Sequence, residues 1–334
     1  MVRAAINGFG RIGRTFFRAS HGRSEFEIVA LNDLGSLENL AYLLKYDTIY
    51  GRAPFSVKAE NGALLAGGKN ISFMQEKELA KLPWKEMNID IVVESTGVFT
   101  DPAKARGHIA AGAKRVVITA PAKGDGAETV LIGANEEKFK TGDISSNASC
   151  TTNAASPLIG ILDEAIGIER AILSTTHGYT ASQALVDAPK EKDWREGRAA
   201  AQNIVPTSTG AAKATTLAHP QLAGKFDGIS MRVPIPAGSL VDVTFVAKRP
   251  TTVEEVNEAL KEAAKSARWK RVFAVSEEPL VSSDIIGEPY GAIADLEMTR
   301  VVDGTLVKVL AWYDNEMGYA YTLVEHVAEV AKHL

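Results

Sequence analysis

Cysteine is almost absent from this chain, which has one such residue, Cys150, in 334. A single cysteine excludes an internal disulfide and a cysteine-based zinc cluster, and it agrees with a reducing, cytoplasmic location. The six histidines lack the spacing of metal ligands, so no structural metal is expected. No apolar run approaches the length of a membrane span, and the chain starts on a strand-like segment without a signal peptide.

Neither strong charge nor disorder-prone composition is present. Hydrophobic residues make up 46% and charged residues 23% of the chain, which are ordinary values for a folded globular protein. A net charge of −4 gives no basic surface for nucleic acid and no polybasic patch for a membrane, so neither partner is expected. At 334 residues the chain is too long for one ordinary core and fits two domains.

The first half of the chain alternates apolar strand-like runs with helical segments. Short continuous apolar strands joined by helices predict an α/β domain with a Rossmann-type, doubly wound parallel sheet. Residues 55–73 are expected to form one or two hairpins inserted in that sheet, with Asn-Gly and Gly-Gly turns. The predicted strands are residues 2–7, 26–31, 89–93, 114–119 and 129–132, and the first helix is residues 14–20.

After Cys150 the pattern changes to that of an α+β domain. Residues 240–248 alternate apolar and polar side chains, as a half-buried antiparallel strand does. Residues 253–265 form an amphipathic helix, residues 306–312 a further strand, and a last helix places Leu323, Val327, Val330 and Leu334 on one face. We therefore expect a dinucleotide-binding domain over 1–149, joined by the C-terminal helix 316–334, and a catalytic domain with an antiparallel sheet over 150–315.

A glycine motif follows the first strand. Gly8, Gly10 and Gly13 form the pattern Gly-x-Gly-x-x-Gly before a helix, and Asp33 stands twenty positions after Gly13 at the end of the next strand. This arrangement is typical of a dinucleotide site, with the pyrophosphate on the helix N-terminus and the acidic residue on the adenosine ribose. The charge of Asp33 would repel a 2′-phosphate, so the pattern predicts NAD rather than NADP. Three turn glycines and a surface aspartate are the simpler alternative.

Cys150 lies among small polar residues and precedes an apolar-periodic helix. A cysteine in the first turn of a helix meets free backbone N–H groups and the positive end of the helix dipole, which favour the nucleophilic thiolate. His177 closes an apolar run just before Gly178, where a strand end can reach into a cleft, and it is a candidate base. A buried structural thiol and a structural histidine are the alternatives.

Two further segments have the chemistry of anion binding. Arg232 stands in an apolar strand on the face opposite Met231 and Val233, and its guanidinium requires either a carboxylate or a bound phosphate. Residues 206–213 open another helix with hydroxyls and a glycine, as an anion site does, although such residues also serve as N-caps. Two phosphate sites beside a thiol and a dinucleotide pocket suggest a phosphorylated substrate and free phosphate.

Four motifs together resemble the phosphorylating glyceraldehyde-3-phosphate dehydrogenase family. They are residues 7–14 (NGFGRIGR), 146–153 (SNASCTTN), 208–213 (STGAAK) and 312–316 (WYDNE). The resemblance runs from Val2 to the C-terminal helix, and the cysteine motif is highly specific. It implies an NAD-dependent oxidoreductase that assembles as a homotetramer, with residues 178–201 matching a loop that packs across a subunit interface.

The resemblance also implies a role for each matching residue. Cys150 would be the nucleophile, His177 would take its proton, and Asn315 would orient the nicotinamide carboxamide. Thr180 and Arg232 would bind the substrate's phosphate, and the attacking phosphate would be bound by Ser149, Thr151, Thr209 and Gly210. The cofactor would be bound by Gly8, Gly10, Arg11, Ile12, Gly13, Asp33, Ser95, Thr96, Gly97, Thr119 and Asn315.

The implied reaction oxidises glyceraldehyde 3-phosphate to 1,3-bisphosphoglycerate with NAD and inorganic phosphate, a step of glycolysis and gluconeogenesis. Cys150 would form a thiohemiacetal and then a thioester, which retains the oxidation energy until phosphate cleaves it. Ala188 stands where many NAD-specific members carry a larger residue, which leaves some use of NADP open.

Three other functions fit parts of the pattern. An erythrose-4-phosphate dehydrogenase would share the fold and the chemistry, although the hydroxyls near His177 and Thr209 suit inorganic phosphate and a substrate phosphate. A semialdehyde dehydrogenase would act on a carboxylate substrate, which the motifs around Asn153, Thr209 and Asn315 fit poorly. A non-catalytic thiol redox sensor would retain the fold, yet every residue that the mechanism needs is present.

Overall fold

The computed structural model describes residues 1–334 and divides by its internal contacts into two compact units. Unit 1 comprises residues 1–130, 135–148 and 323–334, and unit 2 comprises residues 131–134 and 149–322. The division passes through the C-terminal helix, so residues 316–322 group with unit 2. The domain limits expected from the sequence, at 149 and 315, stay a prediction.

Unit 1 is built on one nine-stranded sheet in the order β10-β11-β9-β8-β1-β2-β7-β6-β5. Every pairing from β10 to β7 is parallel, which confirms the Rossmann-type sheet. Its strands are β1 (Val2–Asn7), β2 (Phe26–Asn32), β3 (Tyr46–Asp47), β4 (Gly51–Arg52), β5 (Val57–Glu60), β6 (Ala63–Ala66), β7 (Lys69–Met74), β8 (Ile91–Glu94), β9 (Arg115–Ile118), β10 (Glu128–Thr129) and β11 (Ile144–Ser146), of which β3 and β4 form a separate ribbon. Its complete helices are α1 (Arg11–Ala19), α2 (Leu37–Lys45) and α3 (Pro102–Ala110).

The hairpin segment extends one edge of this sheet. Strands β5, β6 and β7 pair antiparallel through two tight turns, and β7 then pairs parallel with β2. Asn61 and Gly62 in the first turn, and Gly67 and Gly68 in the second, all have positive φ, as type I′ hairpin turns require. The predicted insertion of hairpins into the sheet is confirmed.

The strand predicted at residues 129–132 is mostly wrong. Of residues 129–132, only Thr129 belongs to a strand, because the β10 ladder to β11 is two residues long. Val130, Leu131 and Ile132 are buried apolar residues outside any strand. An apolar run in a sequence indicates that its residues are buried, but it does not distinguish a strand from a buried turn.

The topology of unit 1 brings the predicted cofactor residues to one edge of the sheet. Strand β1 lies between β2 and β8, which is the point where the strand order reverses. Ligands of such sheets bind at the carboxyl ends of the strands on either side of this point. The ends of β1, β2, β8 and β9 there carry the glycine motif, Asp33, residues 95–97 and Thr119 respectively.

Unit 2 contains a seven-stranded mixed sheet in the order β13-β14-β12-β15-β18-β17-β16. Its strands are β12 (Ile168–Gly178), β13 (Val205–Ser208), β14 (Phe226–Val233), β15 (Ser239–Ala247), β16 (Phe273–Ser276), β17 (Ala292–Val302) and β18 (Leu306–Tyr313). Its helices are α4 (Cys150–Ala165), α5 (Ala211–Ala218), α6 (Val253–Lys265) and the start of α7 (Met317–Ala331). Strand β15 is antiparallel to both neighbours with strictly alternating burial, and α6 has its predicted limits.

The helices of unit 2 cover only part of the surface of its sheet. The buried helix α4 contacts α5, α6 and several strands. On the strands, Ile172, Ile229 and Leu306 remain exposed. An apolar sheet surface left open in a single chain indicates an interaction surface.

The last helix ends earlier than the sequence predicted. Leu323, Val327 and Val330 are fully buried on its inner face, as expected. Leu334 lies beyond the end of α7 at Ala331 and is 46% exposed, so its assignment to that face is wrong. None of the helices combines the length and the apolarity that crossing a membrane requires.

Candidate active site

Cys150 is the first residue of helix α4, as the sequence predicted. Ser149 is the N-cap, with extended backbone, and its hydroxyl accepts a hydrogen bond of 3.1 Å from the backbone N–H of Thr152. The cysteine therefore sits where unpaired N–H groups and the helix dipole concentrate positive potential. Its side chain is half-buried.

The structure brings the imidazole of His177 to this sulfur. His177 is the second-last residue of strand β12, and its Nε2 lies 3.3 Å from the Sγ of Cys150. Sulfur and nitrogen at this distance share a hydrogen bond, so a proton can pass between them. The predicted nucleophile and base are therefore in contact.

The protonation state of the pair differs from the expectation of a thiolate. Burial raises the pKa of the Cys150 thiol above its ordinary value, although the charge of Arg232 and hydrogen bonds from the start of α4 oppose this effect. Burial and the same guanidinium lower the pKa of His177 to about 3. Desolvation outweighs the helix terminus here, because it penalises both charged forms at once. The resting pair is a neutral thiol beside a neutral imidazole.

The other ring nitrogen of His177 has two competing partners. Its Nδ1 lies 2.6 Å from the carbonyl oxygen of Gly178 and 2.5 Å from Nη1 of Arg232. A hydrogen on Nδ1 suits the carbonyl and leaves Nε2 as the acceptor for the thiol proton, whereas the guanidinium favours the opposite tautomer. What binds Arg232 therefore influences which nitrogen of His177 accepts the proton.

Arg232 reaches this position because β14 and β12 are parallel neighbours in which residues 232 and 177 are directly paired. Of the two partners that the sequence left open, the structure contains no carboxylate in contact with the guanidinium, and the Nε of Arg232 is buried without a hydrogen-bond partner. A partly buried guanidinium whose Nε has no hydrogen-bond partner is costly without an anion. An anionic ligand would satisfy it.

The remaining predicted phosphate residues lie at three separate places in unit 2. Thr151 is buried on α4, and its hydroxyl lies 2.8 Å from the hydroxyl of Tyr313. The hydroxyl of Thr180 contacts that of Ser182 at 3.0 Å. The hydroxyl of Thr209 accepts a hydrogen bond of 3.2 Å from the backbone N–H of Ala211, the first residue of α5. Gly210, which lies between them, is the N-cap of that helix. No contact joins Thr180 or Thr209 to Cys150.

Tyr313 has a place in the site that the sequence analysis did not assign. Its buried hydroxyl lies 2.8 Å from the hydroxyls of both Thr151 and Thr175, and its ring meets the His177 ring edge-on. Burial raises the pKa of this phenol, so it stays protonated and holds the two threonines. The residue was inside the WYDNE motif, but nothing in its spacing predicted a role.

Asn315 is oriented by a second residue that the sequence analysis missed. Its Oδ1 accepts from the hydroxyl of Ser239 at 2.9 Å, and the same hydroxyl accepts from the N–H of Gly178 at 3.2 Å. With its oxygen held, the amide NH₂ of Asn315 is the end left to donate. This suits a residue that contacts a carboxamide, and Ser239 carried no sequence signal for it.

In unit 1 the three glycines of the motif have different surroundings. A Cβ on Gly8, whose φ is +93°, would lie 2.6 Å from the backbone nitrogen of Thr96, and one on Gly13 would lie 2.2 Å from the Gly8 carbonyl oxygen. Gly10 has open space where its Cβ would be, at the N-cap of α1. Two tight approaches and one open helix start fit a pyrophosphate resting on the helix N-terminus.

The two charged residues predicted to bind the cofactor, Asp33 and Arg11, would contact it through different groups. The carboxylate of Asp33 accepts from the N–H groups of Phe9 (2.6 Å) and Gly35 (2.8 Å), which fixes it at the end of β2. The guanidinium of Arg11 forms an ion pair with Asp47, so this residue and Ile12 can offer a cofactor their backbone groups in the first turn of α1. Asp33 thus presents a fixed charge to any group bound beside it.

A pocket of about 340 Å³ lies along this edge of the sheet. Its walls include Gly8, Gly10, Asp33, Ser95 and Thr96. The hydroxyl of Ser95 donates to the Gly8 carbonyl at 2.6 Å, which ties the β8 end to the glycine motif. Gly97 and Thr119 follow β8 and β9 on the same edge, where the N–H of Thr119 donates to the carbonyl of Glu94 at 3.0 Å.

Comparison with known proteins gives a consistent result over the whole chain. Residues 2–102 match the family model of the glyceraldehyde 3-phosphate dehydrogenase NAD binding domain, and residues 149–315 match that of its C-terminal domain. Glyceraldehyde-3-phosphate dehydrogenase 1 of Streptomyces avermitilis is 50% identical over 97% of each chain. The enzyme named glyceraldehyde-3-phosphate dehydrogenase in Mycobacterium avium is 49% identical over 100% of this chain and 99% of its own.

A third relative extends the similarity to another bacterial group. Glyceraldehyde-3-phosphate dehydrogenase 1 of Bacillus subtilis is 47% identical over 99% of this chain and 98% of its own. The alignments show about one half identity over nearly the full length of both this chain and its relatives, and both domain models match. The chain belongs to the glyceraldehyde-3-phosphate dehydrogenase family, whose members are NAD-dependent oxidoreductases.

Proposed function

We propose that this chain oxidises glyceraldehyde 3-phosphate to 1,3-bisphosphoglycerate, using NAD and inorganic phosphate. The observation that carries the proposal is the 3.3 Å contact between the Sγ of Cys150 and Nε2 of a neutral His177 at the start of a helix. Covalent catalysis by a thiol needs a nucleophile and a base in contact, and this pair provides both. Family membership and the relatives' names support the substrate.

In the first step the sulfur of Cys150 attacks the aldehyde carbon, and its proton passes to Nε2 of His177. The imidazolium passes this proton to the aldehyde oxygen, which gives a neutral thiohemiacetal and returns His177 to its neutral form. The imidazole then withdraws the hydroxyl proton as a hydride leaves the same carbon. Bound NAD supplies the hydride acceptor. The carbon is then a thioester on Cys150. Inorganic phosphate attacks it, the C–S bond breaks to release the acyl phosphate, and the sulfur takes back the proton held by His177 to restore the thiol.

Arg232 supports both binding and proton transfer in this scheme. Its guanidinium has no carboxylate partner and is available to the substrate's phosphate, with Thr180 as the second ligand. Drawing the guanidinium toward an anion weakens its contact with Nδ1 of His177, which leaves the Gly178 carbonyl to hold a hydrogen on that nitrogen. Nε2 is then free to accept. Ser149, Thr151, Thr209 and Gly210 are proposed to bind the attacking phosphate.

A steady-state assay tests the proposal. The protein is mixed with NAD, phosphate and glyceraldehyde 3-phosphate, and the absorbance of the reduced cofactor is followed. Without phosphate we expect a burst of about one reduced cofactor per subunit and then a stop, because the thioester cannot be cleaved. Faster turnover with erythrose 4-phosphate would assign the chain to that activity instead, and no reduction of NAD with either aldehyde would favour a thiol sensor.

Replacing Asp33 with alanine is expected to raise the kcat/KM for NADP relative to NAD by about tenfold or more, because the fixed carboxylate no longer repels a 2′-phosphate. The ratio is measured by varying each cofactor at saturating aldehyde. Glu38→Ala, which removes an exposed acid from α2 in the same unit, is the matched control and should leave the ratio unchanged. An unchanged ratio in Asp33→Ala would contradict the proposed role.

A homotetramer is the proposed assembly. Ile172 and Ile229 are 57% and 52% exposed on the sheet of unit 2, and Leu185 and Trp194 are 81% and 83% exposed in the loop over residues 178–201. Apolar side chains at this exposure on one unit are typical of surfaces that copies of a chain cover for each other. We also place the protein in the cytoplasm, where a lone catalytic thiol stays reduced.

Replacing Ile229 with aspartate is expected to shift the protein from a tetramer to smaller species, since a charge on the buried surface between copies has no partner there. Light scattering coupled to gel filtration measures the mass. Lys58→Asp, on the exposed strand β5 of unit 1, introduces the same residue type away from this surface and should leave the tetramer intact. A tetramer that survives Ile229→Asp would remove this sheet surface from the proposed interface.

A further inference from the structure

The imidazole of His177 has two neighbours that make opposite demands on one of its nitrogens. The ring is 4% exposed, and its Nδ1 lies 2.6 Å from the carbonyl oxygen of Gly178 and 2.5 Å from Nη1 of Arg232. The carbonyl can only accept a hydrogen bond, and the guanidinium can only donate one. Because a neutral ring carries one hydrogen, Nδ1 satisfies either Gly178 or Arg232 and not both.

The partner of Nδ1 decides what Nε2 presents to the sulfur of Cys150, which lies 3.3 Å away. When Gly178 accepts a hydrogen from Nδ1, the lone pair of Nε2 faces the sulfur and can take the thiol proton. When Arg232 donates to Nδ1, the hydrogen of the ring is on Nε2 and points to the sulfur. In this second tautomer the ring cannot act as the base.

In the free protein the guanidinium has the advantage over the carbonyl. A hydrogen bond with one charged partner is about twice as strong as one between neutral groups, so Arg232 competes successfully for Nδ1. No carboxylate contacts Arg232 and draws it away. Burial and the guanidinium lower the pKa of His177 to about 3, so the ring does not resolve the conflict by taking a second proton. The free site therefore holds the tautomer that cannot accept.

Both residues proposed to bind the substrate's phosphate adjoin a donor that lacks an acceptor. Nε of Arg232 is buried without a partner. Oε1 of Gln183 accepts from the N–H of Thr180 at 3.3 Å, and the NH₂ of Gln183 is also buried without a partner. Thr180 follows two residues after the end of β12, which pairs with β14 at residues 177 and 232. The oxygens of a phosphate group are acceptors, so such a group would satisfy these donors.

We propose that the phosphate group of the substrate engages Arg232 and thereby moves the hydrogen of His177 from Nε2 to Nδ1, and that a separate oxyanion does the same for an aldehyde without a phosphate. The inference rests on the function proposed above and adds an activity to it, the anion-dependent oxidation of unphosphorylated aldehydes. The thiol adds to such an aldehyde, a hydride passes to NAD as the thioester forms, and the anion leaves unchanged. Arg232 is therefore a positioning residue for His177 as well as a phosphate ligand.

The first test measures the initial turnover of glyceraldehyde, which keeps the aldehyde and lacks the phosphate. In the absence of inorganic phosphate, the burst of reduced cofactor reports thioester formation alone. We expect saturating phosphite to raise the rate constant of this burst about tenfold or more, because the charge-assisted contact of Arg232 with Nδ1 is lost. Sodium chloride at equal ionic strength is the control and should have no such effect. An unchanged rate with phosphite would overturn the proposal.

Replacing Arg232 with methionine separates the tautomer from phosphate binding. Without the guanidinium, Gly178 alone sets the hydrogen on Nδ1, so we expect a glyceraldehyde burst about tenfold faster than in wild type before any phosphite is added. Phosphite should then add no further acceleration. Arg170→Met, exposed on β12, is the matched control and should behave as wild type. A burst no faster than in wild type, or one that phosphite still accelerates, would contradict the proposal.

The position of the hydrogen can also be observed directly. In protein labelled with ¹⁵N-histidine, protonated and unprotonated ring nitrogens give well-separated resonances, and the signal that His177→Asn removes identifies the ring. We expect the hydrogen of His177 on Nε2 in the free protein and on Nδ1 when phosphite is bound. The same tautomer under both conditions would overturn the proposal, and this measurement needs only wild type if Arg232→Met does not fold.

Failure of this inference and failure of the proposed function give different results. A wild type that produces no burst with glyceraldehyde 3-phosphate would defeat the function itself. A normal burst with that substrate, combined with a glyceraldehyde burst that phosphite does not accelerate, would leave the function in place and remove the role of the anion in setting the tautomer of His177.

Discussion

Replacing Cys150 with serine is expected to lower kcat by about 10⁴-fold or more, because a hydroxyl is far less ionised than a thiol and forms no thioester. The side chains differ by one atom, so the start of α4 should fold unchanged. The measurement is the initial rate of NAD reduction with glyceraldehyde 3-phosphate and phosphate, together with the burst seen without phosphate. Both the rate and the burst should disappear.

Binding of NAD provides the control for this variant. The residues proposed for the adenosine and pyrophosphate belong to unit 1, whereas Cys150 belongs to unit 2. We therefore expect Cys150→Ser to bind NAD with a dissociation constant within about twofold of wild type. If Cys150→Ser turned over at the wild-type rate, the proposed covalent mechanism would be wrong.

Replacing His177 with asparagine is expected to lower kcat at pH 7 by roughly 10²- to 10⁴-fold, the usual contribution of a positioned base. Asparagine keeps a polar group near the sulfur but cannot take its proton. Only the ionised fraction of Cys150 would then react. Because burial raises the pKa of that thiol, this fraction is small at pH 7 and grows as the pH rises.

The loss of kcat in His177→Asn should also depend on pH, and the pKa values of Cys150 and His177 give the direction of that dependence. The pKa of His177 is lowered to about 3, so in wild type the imidazole stays neutral and able to accept a proton throughout the neutral range. The deficit of His177→Asn should therefore narrow between pH 7 and pH 9, as hydroxide replaces the missing base. His333→Asn, at the exposed C-terminus, is the matched control. A deficit that stays constant with pH would mean that His177 does not act on the thiol proton.

Much of the fold could be predicted from short-range patterns. The strict alternation over β15 and the amphipathic pattern over α6 each describe one element whose burial follows its own period, and both are confirmed. The strand expected at residues 129–132 is wrong in most of its length, since a run of buried apolar residues does not say whether the backbone pairs. Leu334 fails for a related reason, because periodicity does not show where a helix ends.

The site could be predicted less completely, since its properties depend on residues far apart in the chain. The contact of Cys150 with His177 followed from two separate motifs. The protonation state did not, because the helix terminus is local, whereas the burial that overrides it comes from the whole unit. Tyr313 and Ser239 act only through neighbours that folding brings to them, at sequence separations of 162 and 76 residues.

The backbone just before the nucleophile has a consequence for any effort to stabilise this protein. Ala148 is fully buried and has a φ of +52°, a conformation that costs a residue with a Cβ about 1 kcal/mol. Glycine would relieve that cost, but it would also remove a buried methyl group and add conformational freedom to the unfolded chain, and these two losses offset the gain. The strained alanine next to Ser149 is therefore a poor target for stabilisation, and gains in heat resistance are expected from substitutions elsewhere in the chain.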